Sequence, residues 1–94
     1  MKKVYIVYDE DGMQVFTTMK DAIAYATNGQ DVFDSQWEGD NEIISMTSIR
    51  RDLKNWVQIS AYTHIARDGV RRHFTITPTV LYKRNEINGA CTNN

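Results

Sequence analysis

The sequence predicts a small α+β domain: an antiparallel sheet built from two β-hairpins, with one or two short helices packed on one face. Three observations carry that expectation. Asp11-Gly12 and Asp68-Gly69 each separate two segments rich in β-branched and aromatic residues, which is the composition of strands joined by tight turns. Residues on either side of the second dipeptide alternate apolar and polar from Trp56 to Lys83, the period of a half-buried strand. Between the hairpins, Thr18-x-x-Asp21 opens a run with apolar residues at helical spacing.

Ninety-four residues suffice for one modest core but not for a separate catalytic domain and lid. The domain is expected over residues 1–84, with a flexible polar tail over 85–94. Apolar residues make up 41% and charged residues 24%, an ordinary globular balance. No apolar run approaches the roughly 18 residues of a membrane helix, so a soluble protein is expected. Met1-Lys2-Lys3 is followed only by Val4 to Tyr8 before acidic residues, too short for the apolar region of an export signal. The lone Cys91 lies in the tail, which offers neither a disulfide framework nor a cysteine metal site. A cytoplasmic setting is the expectation.

The first strand is the run Val4 to Tyr8 and the second Met13 to Thr17. The first does not alternate cleanly, which leaves the register open and is compatible with cover on both faces. Thr18 and Asp21 form a capping box, Met19, Ala22, Ile23 and Ala26 form the apolar stripe with Tyr25 beside it, and Asn28-Gly29 supplies a left-handed stop. Asp31 to Glu42 holds five acids, no base and two isolated aromatics, and reads as a long connection of the kind that often carries function. There Phe33 and Trp37 either pin the loop to the core or anchor an interface, a role in which Trp is enriched. Ile43, Ile44 and Met46 read as a short strand. Ile49, Leu53 and Trp56 then fall at i, i+4 and i+7, a helix opening near Ser48 with Arg50, Arg51 and Lys54 on its outer side.

In the second hairpin a two-residue turn at Asp68-Gly69 pairs Arg67 with Val70. Val57, Ile59, Ala61, Thr63 and Ile65 then share the core face with Val70, Phe74, Ile76 and Val80. The other face carries Trp56, Gln58, Ser60, Tyr62 and His64 with Arg71, His73, Thr75, Thr77 and Thr79, and His64 stands directly opposite His73. Pro78 lacks an N–H and marks an edge strand or a bulge.

Net charge is −1, but residues 1–49 sum to −6 and residues 50–94 to +5. Either the surface is bipolar, or the halves face each other and cancel in part. No phosphate-binding glycine loop, HExxH helix or nucleophile elbow is present. Two histidines without a third ligand make a poor zinc site, so no catalytic residue, metal or cofactor is assigned. Tyr62, His64, Arg71 and His73 are the candidate anion-binding set, offering donors and a stacking surface for phosphate or single-stranded nucleic acid. Phe33, Asp34, Trp37, Glu38 and Asp40 are the candidate partner-binding set.

Val4-Tyr5-Ile6-Val7-Tyr8, then Val15-Phe16-Thr17-Thr18, Ala22 and Tyr25-Ala26 resemble small phage and prophage accessory proteins. These share a short hairpin, then Phe-Ser/Thr, then a helix with Ala four to six positions on. The resemblance covers residues 3–27 and implies a mobile-element origin and a ββα start, with no activity or site residues attached. The expectation is a non-enzymatic protein-binding module, a phage-encoded modulator or inhibitor acting on a host protein in the host cytoplasm. The alternative is a binder of nucleic acid or a small anionic ligand through the basic face of residues 56–83. Expected partners are a host or phage protein, with self-association possible through the acidic and basic halves and no membrane.

Overall fold

The structure, a computed structural model, describes residues 2–34, 43–64 and 70–81. It is the expected small α+β fold. The elements run β1 (Lys2–Asp9), β2 (Gly12–Phe16), α1 (Met19–Thr27), β3 (Phe33–Asp34), α2 (Met46–Lys54), β4 (Ile59–His64) and β5 (Arg71–Leu81). The strands form one sheet in the order β2-β1-β5-β4-β3, and every pairing is antiparallel. The long pairing of β1 with β5, from Lys2↔Leu81 to Asp9↔Phe74, joins the two hairpins into one surface.

Hairpin β1–β2 turns through Glu10 and Asp11, with Asp9 opposite Gly12. Gly12 has φ +113°, a conformation that L side chains rarely adopt, and the Asp9 carboxylate accepts from the Asp11 N–H at 2.9 Å. Residues flanking a two-residue turn exchange both hydrogen bonds, and pairs alternate from there. Asp9, Val7 and Tyr5 therefore bond to β2, whereas Tyr8, Ile6 and Val4 bond to β5. Carried across the sheet, this parity makes Tyr5↔Pro78 a non-bonded pair. The position that Pro78 cannot fill with an N–H therefore faces the β4 side, beyond the last β4 pair, Ile59↔Ile76. This corrects the expectation of an edge strand or a bulge: Pro78 lies in the central strand, in a continuous ladder with β1, and is tolerated there because it stands past the end of its β4 neighbour.

α1 starts where the sequence indicates. Thr18 accepts from the Asp21 N–H at 3.1 Å, and the helix ends at Asn28 (φ 49°) and Gly29 (φ 74°). Its Ala22, Ile23 and Ala26 enter the core. The stretch before α2 corrects the expectation. Met46 is helical, Ile43 makes only an isolated bridge to Phe33, and the N-cap is Ser45, whose hydroxyl accepts from the Ser48 N–H at 3.1 Å. That bond satisfies an otherwise orphan donor and starts the helix two residues before Ser48.

α2 ends in a Schellman cap. The Val57 N–H donates to Asp52 and the Trp56 N–H to Leu53. Trp56 and Val57 are thereby held out of the second hairpin, and β4 begins only at Ile59. Val57 (48% exposed) and Val70 (51%) lie outside the core, against expectation, because both stand beyond the paired ends of β4 and β5.

Both helices lie on one face of the sheet, over Tyr5, Val7, Ile59, Ala61, Phe74 and Ile76. Ile49, Leu53 and Val32 are fully buried there, and truncating Leu53 to Ala would cost about 2–5 kcal/mol. Side-chain ties cross between the acidic and basic halves at both ends of the sheet. Arg72 pairs with the buried Asp9, so the two halves face each other at this point. At the other end of the sheet Lys3 donates to the Leu53 carbonyl at 3.0 Å and lies 4.2 Å from the Trp56 ring centroid.

The register of β4 on β5 is the main correction. His64 stands opposite Arg71, and His73 opposite Tyr62, two positions away from the register that places the histidines face to face. A shift of two leaves every side chain on its own face, so apolar alternation cannot distinguish the two registers, and only turn propensity argued for the other. Residues 65–69, with the Asp68-Gly69 turn, lie outside the described residues.

Candidate functional site

Opposite the helices, the sheet presents Met13 and Val15 from β2, Tyr8, Ile6 and Val4 from β1, Arg71, His73 and the threonines 75, 77 and 79 from β5, Ser60, Tyr62 and His64 from β4, and Phe33 from β3. Their positions follow from the observed registers. Two regions of this face have distinct chemistry.

At the β3–β4–β5 corner, side chains gather around Tyr62. Phe33 stacks on its ring at 5.4 Å, His64 meets it edge-on at 5.6 Å and His73 lies at 5.3 Å, while the Arg71 guanidinium sits 4.7 Å from the ring centroid. Tyr62↔His73 is a non-bonded pair by the parity above, which brings the two side chains closer than a bonded pair would. The structure thus assembles all four residues of the candidate anion-binding set. It also changes the role available to one of them. Tyr62 is 1% exposed, so its ring is not a platform on which a base could stack, and its hydroxyl is buried with no hydrogen-bond partner among the described residues. The donors that reach the surface are His64, Arg71 and His73. Beside them an open depression is lined by Tyr8, Glu10, Ser60, Arg71 and His73, a mixed rather than a basic surface.

The candidate partner-binding set is divided. Phe33 and Asp34 form β3 at the sheet edge, where a loop was expected, and both are half-buried. Phe33 packs on Tyr62 and His64, on the face away from the helices. Trp37, Glu38 and Asp40 lie outside the described residues.

The second region was missed by sequence reasoning. Tyr8 is 58% exposed, Met13 56% and Val15 52%, and the register places Tyr8 opposite Met13 and Ile6 opposite Val15. Three large side chains therefore stand side by side in water at the turn end of β1 and β2. The available signal was the unbroken apolar run Val4 to Tyr8, in which alternate residues must face away from the helices whatever the register. At the other end of β1, Val4 is buried.

Among the described residues no group of three His, Cys, Asp or Glu side chains could hold a metal ion, and no helix is long and apolar enough to cross a membrane. No family model, curated protein or solved structure matches the chain.

Proposed function

We propose that this chain is a non-enzymatic protein-binding module whose contact surface is the sheet face opposite the helices, centred on Tyr8, Met13 and Val15. The observation that carries the reading is the adjacency of these exposed apolar side chains on a continuously paired β1–β2 hairpin. Contiguous apolar surface of this kind marks interaction sites, and an aromatic and a Met at its centre suit the composition of interface cores. Glu10 at the adjoining turn and Arg71 and His73 on β5 supply a polar rim. The resemblance of residues 3–27 to phage accessory proteins supports a host protein as the partner. Anion binding at His64, Arg71 and His73 is the second reading, favoured by their convergence around Tyr62 and weakened by the burial of that ring.

The test is affinity capture from bacterial lysate, with and without nuclease, using the parent and a Tyr8→Ser/Met13→Ser variant of unchanged circular dichroism. A nuclease-resistant partner lost from the variant supports the protein-binding reading. A nuclease-sensitive partner retained by the variant and lost on Arg71→Glu replaces it with the second. Equal capture of one protein by parent and variant removes the proposed surface.

A further inference from the structure

The two edges of the sheet are managed differently. At one edge β3 is only two residues long, and a very short edge strand is a common protection against pairing with another chain. At the other edge β2 runs for five residues, Gly-Met-Gln-Val-Phe, and contains neither a charge nor a proline. Its ladder to β1 is continuous from Phe16 to Gly12, without a bulge. Among the described residues it therefore shows none of the usual devices that blunt an edge.

The parity of the β1–β2 ladder fixes which groups that edge presents. Gly12, Gln14 and Phe16 bond inward to β1, so Met13 and Val15 direct their N–H and C=O groups outward. We infer that β2 pairs with β2 of a second copy of this chain, antiparallel about a two-fold axis through Gln14, to give a continuous ten-stranded sheet. In that register Met13 faces Val15 of the other copy and Val15 faces Met13, so all four outward N–H and C=O pairs of these residues are satisfied reciprocally. The remaining contacts are self-complementary too. Gly12, which has no side chain and nothing within 4 Å of an added Cβ, meets the Phe16 ring across the strands, the arrangement in which an aromatic covers an edge glycine.

The charges agree with the antiparallel sense. The acidic turn residues Glu10 and Asp11 stand at the Gly12 end of β2. Lys20, in the first turn of α1 with Asp21, and Lys2, at the start of β1, stand toward the Phe16 end. A two-fold axis at Gln14 lays the acidic end of each copy against the basic end of the other, whereas a parallel arrangement would set like ends together. The inference does not depend on a foreign partner for the apolar face, although pairing would make the two Tyr8, Met13 and Val15 patches continuous.

A five-residue edge buries less than a standard interface, so the dimer is expected to be weak, with a Kd on the order of micromolar or above. Sedimentation velocity from about 5 to 500 µM should show a concentration-dependent shift from monomer to dimer. Val15→Pro removes an N–H that is unused within one copy but bonded across the two, and should hold the protein monomeric throughout. Gln14→Cys, in a Cys91→Ser background, places two thiols on the axis at a non-bonded pair, whose Cα spacing of about 4.5 Å lies within disulfide range. It should form a covalent dimer on mild oxidation, while Lys20→Cys in the same background should not. A parent that stays monomeric over the whole range overturns the inference, as does a dimer that survives Val15→Pro. Should Val15→Pro fail to fold, the Gln14→Cys cross-link decides: its absence at concentrations where the parent is dimeric also overturns the inference.

Discussion

The guanidinium of Arg72 holds the Asp9 carboxylate and the Ala26 carbonyl, at 2.8 Å, in one grip. Asp9 ends β1 and its side chain is 1% exposed, and Ala26 lies in the last turn of α1. One side chain of β5 therefore ties together the first hairpin, the central strand and the helix over them. A buried carboxylate left without its partner is strongly unfavourable, so Arg72→Ala should destabilise the fold by about 3–5 kcal/mol. Arg72→Lys keeps the charge but not the planar fork that reaches two acceptors, and should fall between parent and Arg72→Ala in urea denaturation. Equal midpoints for parent and Arg72→Ala would show that the pair contributes nothing.

Trp56 is held at φ 65°, and left-handed backbone costs a residue with a β-carbon about 1–2 kcal/mol. Its ring carries the Lys3 ammonium at 4.2 Å, while the same ammonium donates to the Leu53 carbonyl at the end of α2. Replacing Trp56 by Gly relieves the backbone and loses the ring, whereas Ala loses the ring and keeps the strain. Trp56→Gly should therefore be the more stable variant in chemical denaturation. A double-mutant cycle of Trp56→Gly with Lys3→Met should return a coupling of about 0.5–1 kcal/mol.

The buried Tyr62 hydroxyl has no hydrogen-bond partner among the described residues, which leaves its desolvation uncompensated. Tyr62→Phe removes the oxygen and keeps the ring under Arg71 and against Phe33. The variant should equal the parent or exceed it by about 1 kcal/mol in unfolding free energy. A loss of more than that amount would reveal a partner for the hydroxyl in solution.

The β4–β5 register is directly measurable by cross-linking. Ser60 stands opposite Thr75 at a non-bonded pair, the closest cross-strand spacing. In a Cys91→Ser background, Ser60→Cys with Thr75→Cys should oxidise readily to a disulfide. Ser60→Cys with Thr77→Cys, which are opposed when the histidines stand face to face, should not. The reverse result would restore the pairing of His64 with His73 and undo the geometry around Tyr62.

The sequence by itself determined the type of most elements and, in the second hairpin, the face on which each strand residue lies. Those properties are local. Thr18 with Asp21 and Asn28 with Gly29 bound α1 through bonds within a turn of helix, and the alternation of Ile59, Ala61, Phe74 and Ile76 places them toward the core in any register of that parity. The tertiary structure alone decided what depends on distant partners. The β4–β5 register moved by two without changing a single face, so no periodicity could report it. The central pairing of β1 with β5 joins residues more than 60 positions apart and left no local trace, yet it sets the strand order and with it which edge strand is the longer. Burial of Tyr62 and exposure of Tyr8, on the same face of the same sheet, follow from what packs there: Phe33 from β3 covers one, and both described helices lie away from the other. Trp56 shows the same limit in the backbone. Its sequence neighbours permit a strand, and the cap bonds of α2 together with Lys3 from the far end of the chain hold it in a left-handed turn.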